Sequence, residues 1–268
     1  MAQAKRRGLV PKDARRAVIH GNPDRVVEQA GLLDDSRLVA DKRGFVTYTG
    51  KYDGVEVLIS STGMGTGSAA IAIEELRDLG IDRMIRVGTC GAYVKDAMPG
   101  DIVIPTEALI DGPALRYFAP DYLRSLPSSK LPRWARVKRG FIFVEGFREV
   151  SERLTDALGE ETRCSGWELS HRFFTGPVHD KDVLHAWRAE CSLRPSELEK
   201  LKSRVRKLTV ATDMETGTLF TVSHMRGMKS GSILTVVDFA ADEEKVRAQN
   251  EGLRIAYKTS LKAIASLS

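Results

Sequence analysis

The chain has 268 residues, 42% of them apolar, with a formal net charge of +5 at pH 7 and three cysteines. That length fits one large α/β domain with a sizeable core, no run approaches the roughly 18–20 apolar residues of a membrane span, and the basic first residues lack the apolar stretch of a secretory signal. An odd number of widely spaced cysteines argues against a disulfide framework and for a reducing, cytoplasmic setting, while the mild, mixed charge suits small anions better than nucleic acid, whose binders carry denser basic stripes.

Residues 1–16 read as a basic arm and 17–268 as one domain. Residues 17–20 predict a short strand running into Gly21-Asn22-Pro23-Asp24-Arg25, a turn in which Asp24 caps a helix over 25–30. Arg25 on that first helical turn is either a ligand for an anion or a solvated side chain. Residues 38–40 and 45–48 read as strands with Arg43 in the loop between them, and 51–54 as a hairpin turn. Residues 55–59 form a β-branched strand, after which Gly63, Gly65 and Gly67 allow a tight turn and close approach to a ligand. Ser68 is read as the N-cap of a helix whose Ala69, Ala72, Ile73, Leu76 and Leu79 share one face, and Gly80 as its stop. A strand over 84–87 then leaves through Gly88-Thr89-Cys90-Gly91, read as a second glycine turn. Open α/β sheets bind small molecules at such strand ends. The glycine spacing is neither G-x-G-x-x-G nor a P-loop, so a dinucleotide site is not indicated. Arg86, just before the turn that carries Thr89, suits either an anion or a structural carboxylate.

Residues 100–105 predict a further strand. Tyr117 and Phe118 suit a base pocket or the core equally. The basic stretch 121–139 around Trp134 reads as a solvated loop rather than a grip on nucleic acid. Residues 141–144 read as a strand and 149–158 as a helix. Cys164, His171, His179, His185 and Cys191 lack the tight ligand pairs of zinc sites, so no metal centre is expected. A charged helix over 194–207 and a short strand lead to Asp213-Met214-Glu215. An apolar helix over 216–225 ends at Gly227. Residues 232–237 form an apolar strand with Asp238 at its C-terminal end, and a helix over 247–267 closes the chain.

Seven blocks in order carry a resemblance: Gly21-Asn22-Pro23-Asp24-Arg25, Arg43-Gly44-Phe45, Thr62-Gly63-Met64-Gly65, Ile71-Ala72-Ile73-Glu74-Glu75-Leu76, Arg86-Val87-Gly88-Thr89-Cys90-Gly91, Asp213-Met214-Glu215 and Ile233-Leu234-Thr235-Val236-Val237-Asp238. Together they resemble the nucleoside phosphorylase family of the uridine and hexameric purine nucleoside phosphorylase type. The resemblance implies an α/β fold, a single domain with a twisted mixed central β-sheet flanked by helices. It implies cleavage of an N-glycosidic bond by phosphate, giving free base and ribose 1-phosphate, with phosphate as co-substrate and no cofactor. By the same resemblance Gly21, Arg25, Arg43, Arg86 and Thr89 hold phosphate, Met214 and Glu215 hold ribose, and Cys90, Gly91, Phe173, Asp213 and Asp238 line the base. Asp238 and Arg86 are the implied catalytic residues, with Asp238 donating a proton to a purine N7. Arg43 is implied to reach a neighbouring subunit, so the expected assembly is a homo-oligomer, a dimer at least and a hexamer by family habit.

The chain departs from the family pattern in three places. Asn22 stands where aspartate is commoner. Gly176-Pro177-Val178 stands where the uracil-recognising glutamine and arginine are expected, which favours a purine. Lys5 or Arg6 stands where a histidine meets the ribose 5′ hydroxyl. A purine-type arginine is expected on the helix after Asp238, with Arg247 and Arg254 as candidates. A uridine phosphorylase, a nucleosidase or nucleotide-cleaving enzyme of the same fold and a non-catalytic nucleoside- or RNA-binding protein are the alternatives.

Overall fold

The computed structural model describes residues 10–11, 14–110, 132–139, 141–165, 172–181, 193–238 and 242–268. The expectations for Lys5, Arg6, Tyr117, Phe118, His171, His185, Cys191 and residues 121–131 lie outside the described residues.

Four parallel strands form the centre. β1 (Arg16–His20) lies between β4 (Val55–Ser61) and β5 (Arg83–Ala92), and β5 also pairs with β11 (Lys229–Val236). Successive residues face opposite sides: Ala17, Ile19, Leu58 and Met84 join one core, and Val18, Val57, Ile59, Ile85 and Val87 join the other. With both faces covered, these strands must be apolar nearly throughout. α1 (Pro23–Ala30), α3 (Arg148–Ser165) and α6 (Glu243–Ser266) cover one face through Val26, Leu154 and Leu261, among others. α2 (Thr66–Asp78) and α5 (Thr216–Arg226) cover the other, through Ile73, Leu76, Leu219 and Phe220.

Beyond the centre the sheet closes on itself. β5 pairs with β10 (Ala211–Asp213), β10 with β9 (Phe173–Asp180), β9 with β6 (Ile102–Ile110), and β6 with β11, which returns to β5. The antiparallel strands β2 (Asp34–Lys42) and β3 (Phe45–Tyr52) extend the sheet from β4. β8 (Phe141–Glu145) and β7 (Ala135–Lys138) extend it from β6. α4 (Pro195–Arg206) lies outside, its Arg204 over the Phe141 ring. The result is the mixed, helix-flanked α/β sheet expected from the sequence.

Three local expectations are corrected. Gly88 to Gly91 is not a turn, because β5 runs on to Ala92 while β11 and β10 pair with its second half. α2 starts at Thr66 with Gly65 as N-cap, and the Ser68 hydroxyl instead donates to the Thr62 carbonyl at 2.6 Å. Asn22, not Asp24, caps α1, its side chain accepting the Asp24 amide at 2.9 Å. Asparagine and aspartate are about equally good N-caps, so Asn22 keeps the local fold that an aspartate would give.

Candidate active site

The ends of β1, β4, β5 and β10 converge where the family motifs predict a ligand. The β1–α1 turn and the glycine turn after β4 are tied together. The Thr62 amide and hydroxyl both donate to the His20 carbonyl, at 2.7 and 3.1 Å. A Cβ on Gly21 would lie 3.5 Å from the Gly63 carbonyl, so the two turns abut. Gly63 has φ +68°, and a Cβ there would come within 2.5 Å of the Ser68 hydroxyl. Glycine is therefore required on both conformational and steric grounds.

Arg86 on β5 is 4% exposed. Its Nε donates to Asp213 Oδ2 at 3.2 Å and its Nη2 to Glu215 Oε2 at 2.5 Å. Nη1 has no protein partner among the described residues. The strand continues under the guanidinium only because residue 88 is glycine: a Cβ there would lie 2.6–2.8 Å from three guanidinium atoms. Burial alone would lower the Arg86 pKa, but the charges of Glu215 and Asp213 outweigh it and hold the pKa above its ordinary value. Arg86 is thus fixed as a cation.

The two carboxylates do different things. Glu215 Oε1 accepts the Gly65 amide at 2.6 Å, so this side chain bridges Arg86 to the glycine turn. Met214 lies beside the same turn, its methyl 3.9 Å from where a Gly65 Cβ would stand. Asp213 Oδ2 accepts the amide and hydroxyl of Thr216 at 3.1 and 2.6 Å, closing the first turn of α5. Its side chain has no exposed surface, which makes it an internal support for Arg86 and α5 rather than a surface for a base. Burial and the nearby Glu215 raise the Asp213 pKa, against the pull of Arg86. Asp180, at the end of β9, completes the support by accepting the Thr218 amide at 2.8 Å.

Arg25 differs from Arg86. It is half-buried on the first turn of α1 and makes no hydrogen bond or ion pair among the described residues. Burial lowers its pKa, Tyr257 pulls the other way, and Arg86 adds repulsion. The two cations repel each other electrostatically; Arg86 is hydrogen-bonded by carboxylates, whereas Arg25 feels the Glu28 carboxylate only at longer range and has no hydrogen-bonded partner among the described residues. Thr89 is half-buried on β5 opposite Thr235. Arg43 stands apart at the exposed tip of the β2–β3 hairpin, where Arg43 (φ +58°) and Gly44 (φ +79°) make a two-residue turn with both φ positive, the type I′ sign pattern.

At the other end, Val236 pairs with Cys90 and the Val237 amide donates to the Cys90 carbonyl at 3.0 Å, which carries Asp238 just past the end of β11, alongside the last residues of β5. Cys90 is buried, which pushes its thiol pKa up and keeps it neutral. Gly91 pairs with Thr212. Asp238 accepts from Lys245 Nζ at 3.3 Å, with both side chains about 40% exposed. Neither Arg247 nor Arg254 is hydrogen-bonded to Asp238 among the described residues. Both are exposed, and Arg247, two residues from Lys245, points to the opposite side of α6.

Two further features of the base end are named from the sequence. Phe173 stands 48% exposed at the start of β9, a strand that reaches β5 through β10. Gly176-Pro177-Val178 is inside β9, and Val178 is fully buried. Of these three residues only Val178 is buried, with Gly176 and Pro177 partly exposed.

Lys245, Asp180 and Thr216 were missed by sequence reasoning. Thr216 follows Glu215 directly and was findable as the first residue of the helix. Asp180 carries no local signal. Among the described residues, no group of His, Cys, Asp and Glu side chains is arranged to hold a metal, and no helix is long and apolar enough to cross a membrane.

Comparison with known proteins bears on this geometry. A family model described as the phosphorylase superfamily matches residues 15–267. A guanosine phosphorylase of Halorubrum lacusprofundi is 28% identical, covering 94% of this chain and 93% of that protein. A uridine phosphorylase of Thermococcus kodakarensis is also 28% identical, over 94% of this chain and 83% of that protein. Among solved structures, a uridine phosphorylase of Vibrio fischeri superposes with a TM-score of 0.73 at 25% identity, covering 95% of this chain and 92% of that one.

Proposed function

The chain belongs to the phosphorylase superfamily, and from that premise we propose that it is a nucleoside phosphorylase, a pentosyltransferase that uses phosphate to release the base of a nucleoside. The observation that carries this reading is the unpaired, half-buried Arg25 beside the carboxylate-held Arg86. Arg25 is only weakly offset by Glu28 and is not hydrogen-bonded to any described residue, and a part-buried cation left so is unfavourable; a phosphate dianion between the two guanidinium groups supplies a direct partner. Thr89 and the turn at Gly21 add donors. Holding the nucleophile in place is worth several kcal/mol of the barrier. Glu215, fixed by Arg86 and the Gly65 amide, accepts from the ribose hydroxyls, and Met214 packs beneath the sugar. In the reaction the C1′–N bond breaks, a C1′–O bond to phosphate forms, and the electron pair leaves with the base.

A purine is favoured by Asp238 alone, as the group that protonates N7 with Lys245 as its neighbour. Uridine is the second reading, supported by the uridine phosphorylases among the relatives and weakened by Gly176-Pro177-Val178 standing where the uracil ligands are expected. A homo-oligomer, a dimer at least and a hexamer by family habit, is proposed because Arg43 stands on an exposed hairpin tip, where it serves a neighbouring copy's site.

One experiment tests these points: base release from inosine, guanosine and uridine against phosphate concentration, for the wild type and Arg43→Ala, with sedimentation alongside. Release should saturate with phosphate, yield ribose 1-phosphate and be fastest for a purine nucleoside. Arg43→Ala should raise the phosphate KM in an assembly of unchanged size. Undiminished release in phosphate-free buffer would make the protein a nucleosidase, and a fully active monomer would remove Arg43 from the site.

A further inference from the structure

Directly behind the anion site lies a buried polar network that the reaction does not use. His20, the last residue of β1, is fully buried. Its Nε2 meets Gln29 Oε1 at 2.5 Å. Gln29, also fully buried, donates through its Nε2 to the Tyr257 carbonyl and the Ser260 hydroxyl, both at 2.9 Å. Those two donations orient the amide, so Oε1 must face the histidine as acceptor, and His20 must carry its proton on Nε2. Nδ1 is then a lone-pair atom, buried without a partner among the described residues. A proton there would be buried without an acceptor, beside Arg25 and Arg86. His20 is accordingly neutral, its pKa pushed down to about 3, mainly by burial and further by those two arginines.

The geometry of the network encloses one segment. His20 and Gln29 bracket Gly21 to Glu28, the turn and helix that carry Arg25. Gln29 is four residues beyond Arg25, one helical turn along the same side. The far end of the network is anchored on α6. There the Tyr257 ring meets the His20 ring edge-on at 5.5 Å, and the Tyr257 hydroxyl donates to Glu28 at 3.0 Å.

We infer that His20 is a positioning residue for the anion site: its hydrogen bond to Gln29 locks the β1–α1 turn against α6 and so fixes where the Arg25 guanidinium stands. This rests on the phosphorylase reading above. A neutral donor is what the place requires, since the bond holds α1 without adding a charge that would compete with the arginines for the anion. An unpaired arginine has no partner of its own to hold it, so its aim depends on the backbone beneath it.

The test is phosphate and nucleoside kinetics, with melting temperatures, on wild type, His20→Leu, His20→Gln and the double variant His20→Leu/Gln29→Met. Glutamine keeps an N–H donor near the place of Nε2. The double variant removes both polar partners together, which leaves no unmatched buried group and protects the fold. His20→Leu and the double variant should raise the phosphate KM about tenfold, the scale of one lost hydrogen bond. The nucleoside KM and kcat should stay within about twofold, and His20→Gln should restore most of the phosphate KM. A lower melting temperature with an unchanged phosphate KM would overturn the inference and leave the phosphorylase reading intact. So would an equal rise in both KM values, which would mean general loosening, or a His20→Gln variant as impaired as His20→Leu. Wild-type base release that ignores phosphate would overturn both readings.

Discussion

Arg86 and Asp238 each meet an opposite charge, but under opposite conditions. Arg86 is held between Asp213 and Glu215 where all three side chains are at most 7% exposed. Asp238 meets Lys245 where both are about 40% exposed. Interior charges cannot be released without leaving a partner stranded, so breaking such a pair costs about 3–5 kcal/mol. An exposed pair is screened by water and contributes roughly 0.2–1 kcal/mol. The Arg86 end, proposed to hold sugar and phosphate, is therefore rigid in the way a shared chemistry demands. The Asp238 end, proposed to meet the base, is held loosely enough to be altered without endangering the fold. That contrast suits a family whose members, at similar distance from this chain, are named for different bases.

The largest expected effect comes from breaking the interior end. Arg86→Met leaves Asp213 and Glu215 buried without their cation. Stability should fall by about 3–5 kcal/mol in urea denaturation, with phosphorolysis lost. A stable, well-folded Arg86→Met protein would mean that the buried carboxylates do not depend on it.

The next effect belongs to the exposed end. Asp238→Asn should slow kcat on inosine and guanosine by about 10²- to 10⁴-fold, the usual range for a general acid, with little change in stability or phosphate KM. 7-Methylguanosine, already activated at N7, should be largely spared. Equal slowing of both would make Asp238 a positioning carboxylate and withdraw the support for a purine.

The last effect separates interior from surface by titration. His20 has a folded pKa of about 3 against an ordinary 6.5. Its native form is neutral, while the unfolded chain takes up the proton below 6.5. The stability it contributes is complete above pH 6.5 and declines as pH falls toward 3, by about 1.4 kcal/mol per pH unit. His20→Gln should lack that share of the slope in denaturant midpoints measured between pH 4 and 7. An unaltered slope would place the acid sensitivity elsewhere.

Much of the architecture was legible because it follows local rules. The apolar strand, the glycine turn and the amphipathic helix over residues 55–80 are all present, and Gly227 ends α5 in the left-handed conformation, with φ +67°. The misreadings have physical causes too. Gly88 and Gly91 look like turn residues, but Gly88 is small so that the Arg86 guanidinium can lie over a continuing strand. Ser68 has the chemistry of a cap, yet its hydroxyl is engaged by Thr62 on the turn before it. Lys245 is separated from Asp238 by seven positions and a change of element, so no periodicity connects them. Asp180 reaches α5 from a strand 38 residues away, a pairing that only the closed sheet brings about. Arg86, Glu215 and Gly65 were findable individually, but their mutual hydrogen bonds were not.

The Arg43 hairpin tip has a practical consequence for anyone seeking a hardier version of this protein. A non-glycine residue at φ +58° sits in a left-handed conformation that disfavours side chains by about 1–2 kcal/mol, with asparagine and glycine the tolerated exceptions. A thermostability screen, or a redesign guided by backbone preference, would favour Arg43→Asn or Arg43→Gly at this turn. The gain in melting temperature would come with removal of the guanidinium that the neighbouring copy is proposed to use. Position 43 is therefore one at which selection for robustness and selection for turnover pull in opposite directions.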